Sequence, residues 1–77
     1  MVDAYILVQA EVGKAAGVRE EIARISGVAS ADAVTGPYDV IVRAKARDMD
    51  DLGRLVLGKV QAVDWVTRTL TCPVVHL

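Results

Sequence analysis

The stretch that decides the fold is YDVIVRAKA (Tyr38–Ala46), followed directly by RDMDDLGRLVLGKV (Arg47–Val60). Tyr38–Ala46 is rich in residues that favour strands and follows a Gly-Pro turn signal, so it is predicted to form a strand. Asp48 is suited to accept a hydrogen bond from the amide of Asp51, and the acidic residues after it place negative charge at a helix N-terminus. The two segments therefore predict a strand that leads into a capped helix.

The predicted helix carries one apolar stripe and two glycines. Its buried stripe is predicted to consist of Met49, Leu52, Leu55, Val56 and Val60. Gly53 and Gly58 each cost a helix about 1 kcal/mol relative to alanine. Two explanations stay open, either that this cost is tolerated or that the glycines let a neighbouring backbone approach closely. The acidic cluster at the start of the helix also suits a cation, but capping explains it, and no metal site is predicted.

The rest of the chain completes the pattern on both sides of this stretch. Strands are predicted over Ala4–Glu11, Val28–Thr35 and Val63–Cys72, and a helix is predicted over Ala15–Ser26 with Val18, Ile22 and Ile25 on its buried face. The order βαββαβ predicts an α+β, ferredoxin-like fold, in which a four-stranded antiparallel sheet carries both helices on one face. Residues 1–77 then form a single domain.

The sheet face that the helices leave open predicts self-association. Apolar residues are expected on both faces of the strands, with Tyr5 and Leu7 opposite Ile6 and Val8, and with Val66 and Leu70 opposite Trp65, Thr67, Thr69 and Thr71. A sheet with one wet face would alternate more cleanly. The chain is also 53% hydrophobic, which is more than so small a domain can bury. These features predict a homodimer that forms through the open sheet face.

Charge and composition exclude several classes of function. The formal net charge is −1, so the basic surplus of a nucleic-acid-binding domain is missing and no direct contact with nucleic acid is predicted. Asp3 and Gln9 interrupt the apolar N-terminal run, so no signal peptide is predicted. No segment approaches the ~18 apolar residues of a membrane span. Cys72 is the only cysteine, which predicts a reducing compartment, most simply the cytoplasm.

No catalytic constellation is visible in the sequence. The only histidine, His76, lies next to the C-terminus, and the two serines, Ser26 and Ser30, have no histidine in register. The chain is therefore predicted not to be an enzyme and to need no cofactor. The basic residues Arg19, Arg24, Arg43, Lys45, Arg47, Arg54 and Arg68 are scattered among acidic ones, which predicts a solvated surface.

One segment is a candidate ligand site, the turn Thr35-Gly36-Pro37-Tyr38-Asp39. Backbone amides near a glycine can donate to an anion, Asp39 can accept from an ammonium group, and Tyr38 offers an aromatic wall. Together they suit an α-amino acid. An ordinary hairpin turn would have the same composition, so both interpretations stay open at this point.

Three motifs give the sequence a family resemblance. VTGPYD (residues 34–39), DMDDL (48–52) and VTRTLT (66–71) occur in register across almost the whole chain. The sequence resembles the RAM domain, the ligand-binding domain of the Lrp/AsnC regulators. This resemblance implies dimers with their sheets face to face, assembly into rings of dimers, and an amino-acid effector near Gly36, Tyr38 and Asp39. Thr67 and Thr69 on the last strand are weaker candidates for the site, since pairing of their hydroxyls across the dimer stays open as the alternative. Pro37 departs from the acidic residue that is commoner at its position.

Full-length members of that family carry an N-terminal helix-turn-helix domain, whereas the first strand here is predicted to begin three residues after Met1. The resemblance therefore implies a stand-alone regulatory module that senses an amino acid or co-assembles with full-length relatives. Two alternatives share the fold. One is a small monooxygenase-like enzyme that encloses its substrate in a dimeric α/β barrel, for which this chain has few pocket residues. The other is an ACT-type amino-acid sensor, whose glycine-rich turn is only faintly matched by Gly13.

Overall fold

The computed structural model describes residues 1–77 and has the predicted βαββαβ order. Its elements are β1 (Val2–Ala10), α1 (Ala15–Ala23), β2 (Val28–Ala33), β3 (Val40–Ala46), α2 (Met49–Leu55), a π-helical segment (Val56–Val60) and β4 (Val66–Pro73). The strands form one antiparallel sheet in the order β2-β3-β1-β4. The ferredoxin-like α+β fold is confirmed. No helix is long and apolar enough to cross a membrane.

The core lies between the sheet and the helices, and β3 shows how the sequence builds it. Its residues alternate strictly, with Val40, Val42, Ala44 and Ala46 buried and the residues between them exposed. β1 adds Ala4, Ile6 and Val8 on the same face, since each is in register with a buried residue of β3. The helical layer supplies Val18, Ile22, Leu52, Leu55, Val56 and Val60, and no polar side chain is buried. The most apolar strands, β1 and β3, are therefore the central ones.

The first helix ends at Ala23, whereas the sequence predicts an end at Ser26 with Gly27 as the C-terminal capping residue. The C-cap is Arg24, and Gly27 instead forms the turn into β2 with φ +100°. The carbonyl of Gly27 accepts a hydrogen bond of 2.8 Å from the amide of Lys45, which joins the turn to β3. A Cβ on Gly27 would lie 3.3 Å from the carbonyl oxygen of Lys45. Both the backbone conformation and the close approach therefore require glycine here.

Replacing Gly27 with alanine is expected to lower the free energy of unfolding by about 1 to 3 kcal/mol, the usual cost of a disfavoured backbone conformation. Gly17→Ala is the matched control, because Gly17 lies inside α1 and a methyl group added there would meet no atom within 4 Å. That variant is expected to gain about 0.4 to 1 kcal/mol. Urea denaturation of the two variants and wild type measures both changes, and equal stability of the two variants would contradict this account of Gly27.

The second helical region begins as predicted, but after Leu55 it continues as a π-helical segment over Val56–Val60. The Oδ1 atom of Asp48 accepts from the amide of Asp51 at 2.8 Å, so the acidic cluster does cap the helix. Met49 was predicted to be buried but is 56% exposed, because it occupies the first helical position, beyond the part of the helix that packs on the sheet. Gly53 and Gly58 meet no atom within 4 Å of a Cβ position, so no backbone of this chain approaches them.

The last strand starts later than predicted and contains a bulge. Ala10 pairs with Val66 and Gln9 pairs with Arg68, so Thr67 is an extra residue without a partner. The insertion puts Val66 on the same face as Thr69 and Thr71, whereas the sequence pattern placed Val66 on the opposite face. Trp65, expected inside this strand, precedes it with φ +76°.

The open sheet face is less apolar than predicted. Ile41, Leu7 and Leu70 lie side by side across three strands, and Tyr5 lies next to this row. These four residues form what we call the apolar patch. Charged residues surround it on the same face, namely Asp3, Asp32, Arg43, Lys45 and Arg68. Ile41, Tyr5 and Leu70 are 36%, 42% and 47% exposed, so the patch is accessible in the single chain.

Candidate functional site

The Gly36–Asp39 turn is held rigidly against the end of β1. The amide of Asp39 donates to the carbonyl of Val8 at 2.9 Å, and the carbonyl of Asp39 accepts from the amide of Val34 at 2.9 Å. The side chain of Gln9 donates from Nε2 to the carbonyl of Pro37 at 2.9 Å. The turn is thus joined to the neighbouring strand by several bonds, which is more than a free hairpin loop would show.

Asp39, the candidate ammonium acceptor, already has one partner within the chain. Its Oδ2 atom accepts a hydrogen bond of 2.8 Å from the amide of Ala10 in a half-buried setting. A carboxylate has capacity for several donors on its two oxygens. Asp39 can therefore hold the turn in place with one oxygen and offer the other to a ligand.

The other turn residues are arranged for access. Gly36 has φ +145°, a conformation that L residues rarely adopt, and it is exposed with nothing near its Cβ position. Tyr38 is half-buried, so part of its side chain packs against the domain and part is accessible to a ligand. Gly36 and Pro37 are exposed, so the turn is open to solvent in the single chain.

The two threonine candidates reach the same end of the sheet from the other side of β1. Thr69 is in register with Val8, and the bulged Thr67 is exposed. Because neighbouring strands lie about 4.8 Å apart, the start of β4 and the turn are separated by about 10 Å. The Oγ1 atom of Thr69 accepts from Nε2 of Gln61 at 2.8 Å. Thr69 faces the helices, so its hydroxyl does not reach across a dimer formed by the open face.

Trp65 and Lys14 form a further feature at this end of the sheet that the sequence did not reveal. The Lys14 ammonium group lies 4.6 Å from the centre of the Trp65 ring, a cation–π contact. The carbonyl of Trp65 accepts from the amide of Glu11 at 2.9 Å. Two consecutive amides therefore fix this end of the sheet: the amide of Ala10 donates to Asp39, and the amide of Glu11 donates to Trp65. A tryptophan at positive φ gives no signal in the sequence, because such positions usually carry glycine.

No group of three or more His, Cys, Asp or Glu side chains is placed to share a metal ion. At the start of α2, the hydrogen bond from the amide of Arg47 lowers the pKa of Asp51 most. Desolvation opposes this effect, and the charges of Arg47, Arg54 and Lys59 lower the pKa further. Asp51 is thus a carboxylate within a positive environment.

Comparison with known proteins agrees with the geometry. Residues 3–76 match the profile of the Lrp/AsnC ligand binding domain. An uncharacterized HTH-type transcriptional regulator of Pyrococcus abyssi is 34% identical over 68 residues, which are 88% of this chain and 43% of the regulator. The crystal structure of TTHA0845 from Thermus thermophilus superposes with a TM-score of 0.93 at 27% identity, covering 100% of this chain and 96% of that one.

A regulator from Neisseria meningitidis, crystallised as a complex with L-Met, shares the fold with a TM-score of 0.82. Its identity is 24%, over 97% of this chain and 50% of the regulator. The chain spans less than half the length of the curated regulators it matches. The family match does not favour the enzyme and ACT-type alternatives. From residue 3 to residue 76, the chain belongs to the Lrp/AsnC ligand-binding domain family.

Proposed function

We propose that the domain is an oligomeric regulatory module that binds an amino-acid effector at the Gly36–Asp39 turn and performs no catalysis. The observation that carries this proposal is Asp39, whose carboxylate is fixed by the amide of Ala10 through one oxygen. The other oxygen is available for an ammonium group at a turn that glycine keeps open. The L-Met complex of the Neisseria regulator supports an amino acid as the effector class.

The incomplete site supports a link between effector and assembly. Gly36 and Pro37 are exposed in the single chain, so a second copy would be needed to enclose an amino acid bound at the turn. A ligand that binds better in the assembled state shifts the population toward that state. Dimers that form through the apolar patch and then join into rings would bring such turns together. Thr67 and Thr69, near the start of β4, would contribute hydroxyl groups to the enclosed site.

The kinship with transcriptional regulators supports a regulatory role in the cytoplasm. The relatives carry a longer chain than the 77 residues described here, and both helices of this domain pack on its own sheet. Within these residues no helix is left to enter a DNA groove, so the domain would act on transcription through partners, including full-length relatives of the same family. It would therefore be a sensor and an assembly unit, not a DNA reader.

A thermal-shift screen over the twenty amino acids tests the proposal. At a concentration of 100 times its dissociation constant, an effector adds about 2.7 kcal/mol of stability, which moves the Tm of a domain this size by roughly 10 °C or more. The same amino acid should increase the assembled fraction in sedimentation velocity. If no amino acid raises the Tm, effector binding is wrong and only an assembly role is left.

A further inference from the structure

A second site with a different chemistry lies at the opposite end of the sheet. A depression of about 480 Å³ opens between the end of β3, the turn before β2 and the helical layer. β3 runs from the Gly36–Asp39 turn to this depression, and its seven residues span about 20 Å. The depression is thus separate from the proposed effector site.

Three basic side chains meet there, although the sequence predicted that the basic residues are scattered over a solvated surface. Arg47, Arg54 and Lys59 line the depression, and Asp51 is its only acidic residue. Lys45 also borders it, but strand alternation places the Lys45 side chain on the open face of the sheet. The three make up a third of the nine lysines and arginines in a chain whose net charge is −1. The fold gathers them because β3 ends beside the helical region that carries Arg54 and Lys59, a proximity that the spacing along the chain does not show.

The pairing of these groups leaves positive charge unbalanced. Asp51 lies 3.8 Å from Nε of Arg47 and 4.0 Å from Nη2 of Arg54, and its Oδ2 atom also accepts from the Arg47 amide at 3.1 Å. Lys59 forms no ion pair within the domain. Asp48 and Asp50 lie on the same helix end but outside the depression. One carboxylate, Asp51, therefore faces the three cations of Arg47, Arg54 and Lys59.

The shape suits a small ligand. Gly27 and the buried Leu55 line the depression beside the basic groups. Its volume falls in the range of about 300 to 1,000 Å³ that is usual for small-molecule sites. Guanidinium groups such as those of Arg47 and Arg54 bind phosphate and carboxylate oxygens through paired hydrogen bonds. Duplex DNA engages about 6 to 10 phosphate contacts in typical complexes, which is more than this cluster offers.

We propose that this depression binds a small oxyanion with two or more negative charges, and that Arg47, Arg54 and Lys59 hold it. The site is independent of the amino-acid site at the Gly36–Asp39 turn. The shared chemistry covers both phosphoryl compounds and polycarboxylates. Pyrophosphate and citrate serve as the probes that distinguish these two sources.

The test is a titration of ¹⁵N-labelled protein with pyrophosphate and, separately, with citrate, against sodium chloride at equal ionic strength. Saturable shifts are expected at the amides of Gly27, Ala46 and Asp51 with at least one probe. Tighter binding of pyrophosphate assigns a phosphoryl ligand, and tighter binding of citrate assigns a carboxylate ligand.

Arg54→Gln should weaken that binding about tenfold, a loss equivalent to about 1.4 kcal/mol. Arg24→Gln is the matched control, since Arg24, the C-cap of α1, is also an exposed arginine paired with an acid at i−3, at 3.9 Å. It should leave the affinity unchanged. Equal weakening by both variants, no saturable shift with either probe, or tighter binding of a DNA duplex than of both probes would overturn the proposal.

Discussion

Leu70→Asp is expected to convert a dimeric protein into a monomer at micromolar concentration. Leu70 lies in the apolar patch and is 47% exposed in the single chain, so the substitution costs the isolated domain little. In a twofold dimer each copy presents the same patch, and the change places two carboxylates in one interface. A buried, unpaired charge costs about 3 to 5 kcal/mol, so the dissociation constant should rise at least 100-fold, to order of magnitude.

Leu57→Asp is the control for this experiment. Leu57 is 68% exposed on the helical layer, on the opposite side of the domain from the open sheet face. Both variants add the same charge at an exposed leucine, but only Leu70→Asp should dissociate the dimer in sedimentation equilibrium. A dimeric Leu70→Asp variant, or a monomeric wild-type protein at the same concentration, would show that the patch is not the interface.

Asp39→Asn is expected to weaken amino-acid binding strongly while the fold stays intact. Asparagine keeps a side-chain oxygen that accepts from the amide of Ala10, but it loses the charge that an ammonium group would meet. A hydrogen bond to a charged group contributes about 1.5 to 3 kcal/mol, so the affinity should fall about 10- to 150-fold. Calorimetric titration with the amino acid found by thermal shift measures this loss.

Asp39→Ala separates the contribution of Asp39 to the stability of the domain from its contribution to ligand binding. Alanine removes the acceptor as well, which leaves the amide of Ala10 unpaired and should lower stability by about 1 to 3 kcal/mol. Glu20→Gln is the charge-matched control, because Glu20 is exposed on α1, outside both the turn and the sheet face that carries the apolar patch. Equal affinities of wild type and Asp39→Asn would move the effector site elsewhere.

The sequence predicted the fold well because the strongest local signals agree with the tertiary structure. The run of strand-favouring residues in Tyr38–Ala46 after a Gly-Pro turn marks a strand, and Asp48 marks the start of the helix. The ends of elements were less certain. Gly27 was expected directly after the first helix, yet the turn into β2 needs its positive φ more than the helix end does.

Other features depend on contacts that no local pattern records. The bulge at Thr67 arises from the pairing of β4 with β1, and it reverses the face predicted for Val66. The turn at Gly36–Asp39 was recognised as a candidate site from its composition and the family resemblance. Its tie to Ala10 through Asp39, and the gathering of Arg47 with Arg54 and Lys59, required the folded chain.

A crystal structure with the amino acid that most raises the Tm tests the central claim most directly. We predict that the ligand lies at the Gly36–Asp39 turn between two copies of the chain, with its ammonium group in hydrogen-bond contact with Oδ1 of Asp39. The ring of Tyr38 should pack against the ligand. An amino acid bound anywhere else, whether in the basic depression or beside Trp65, would contradict the account.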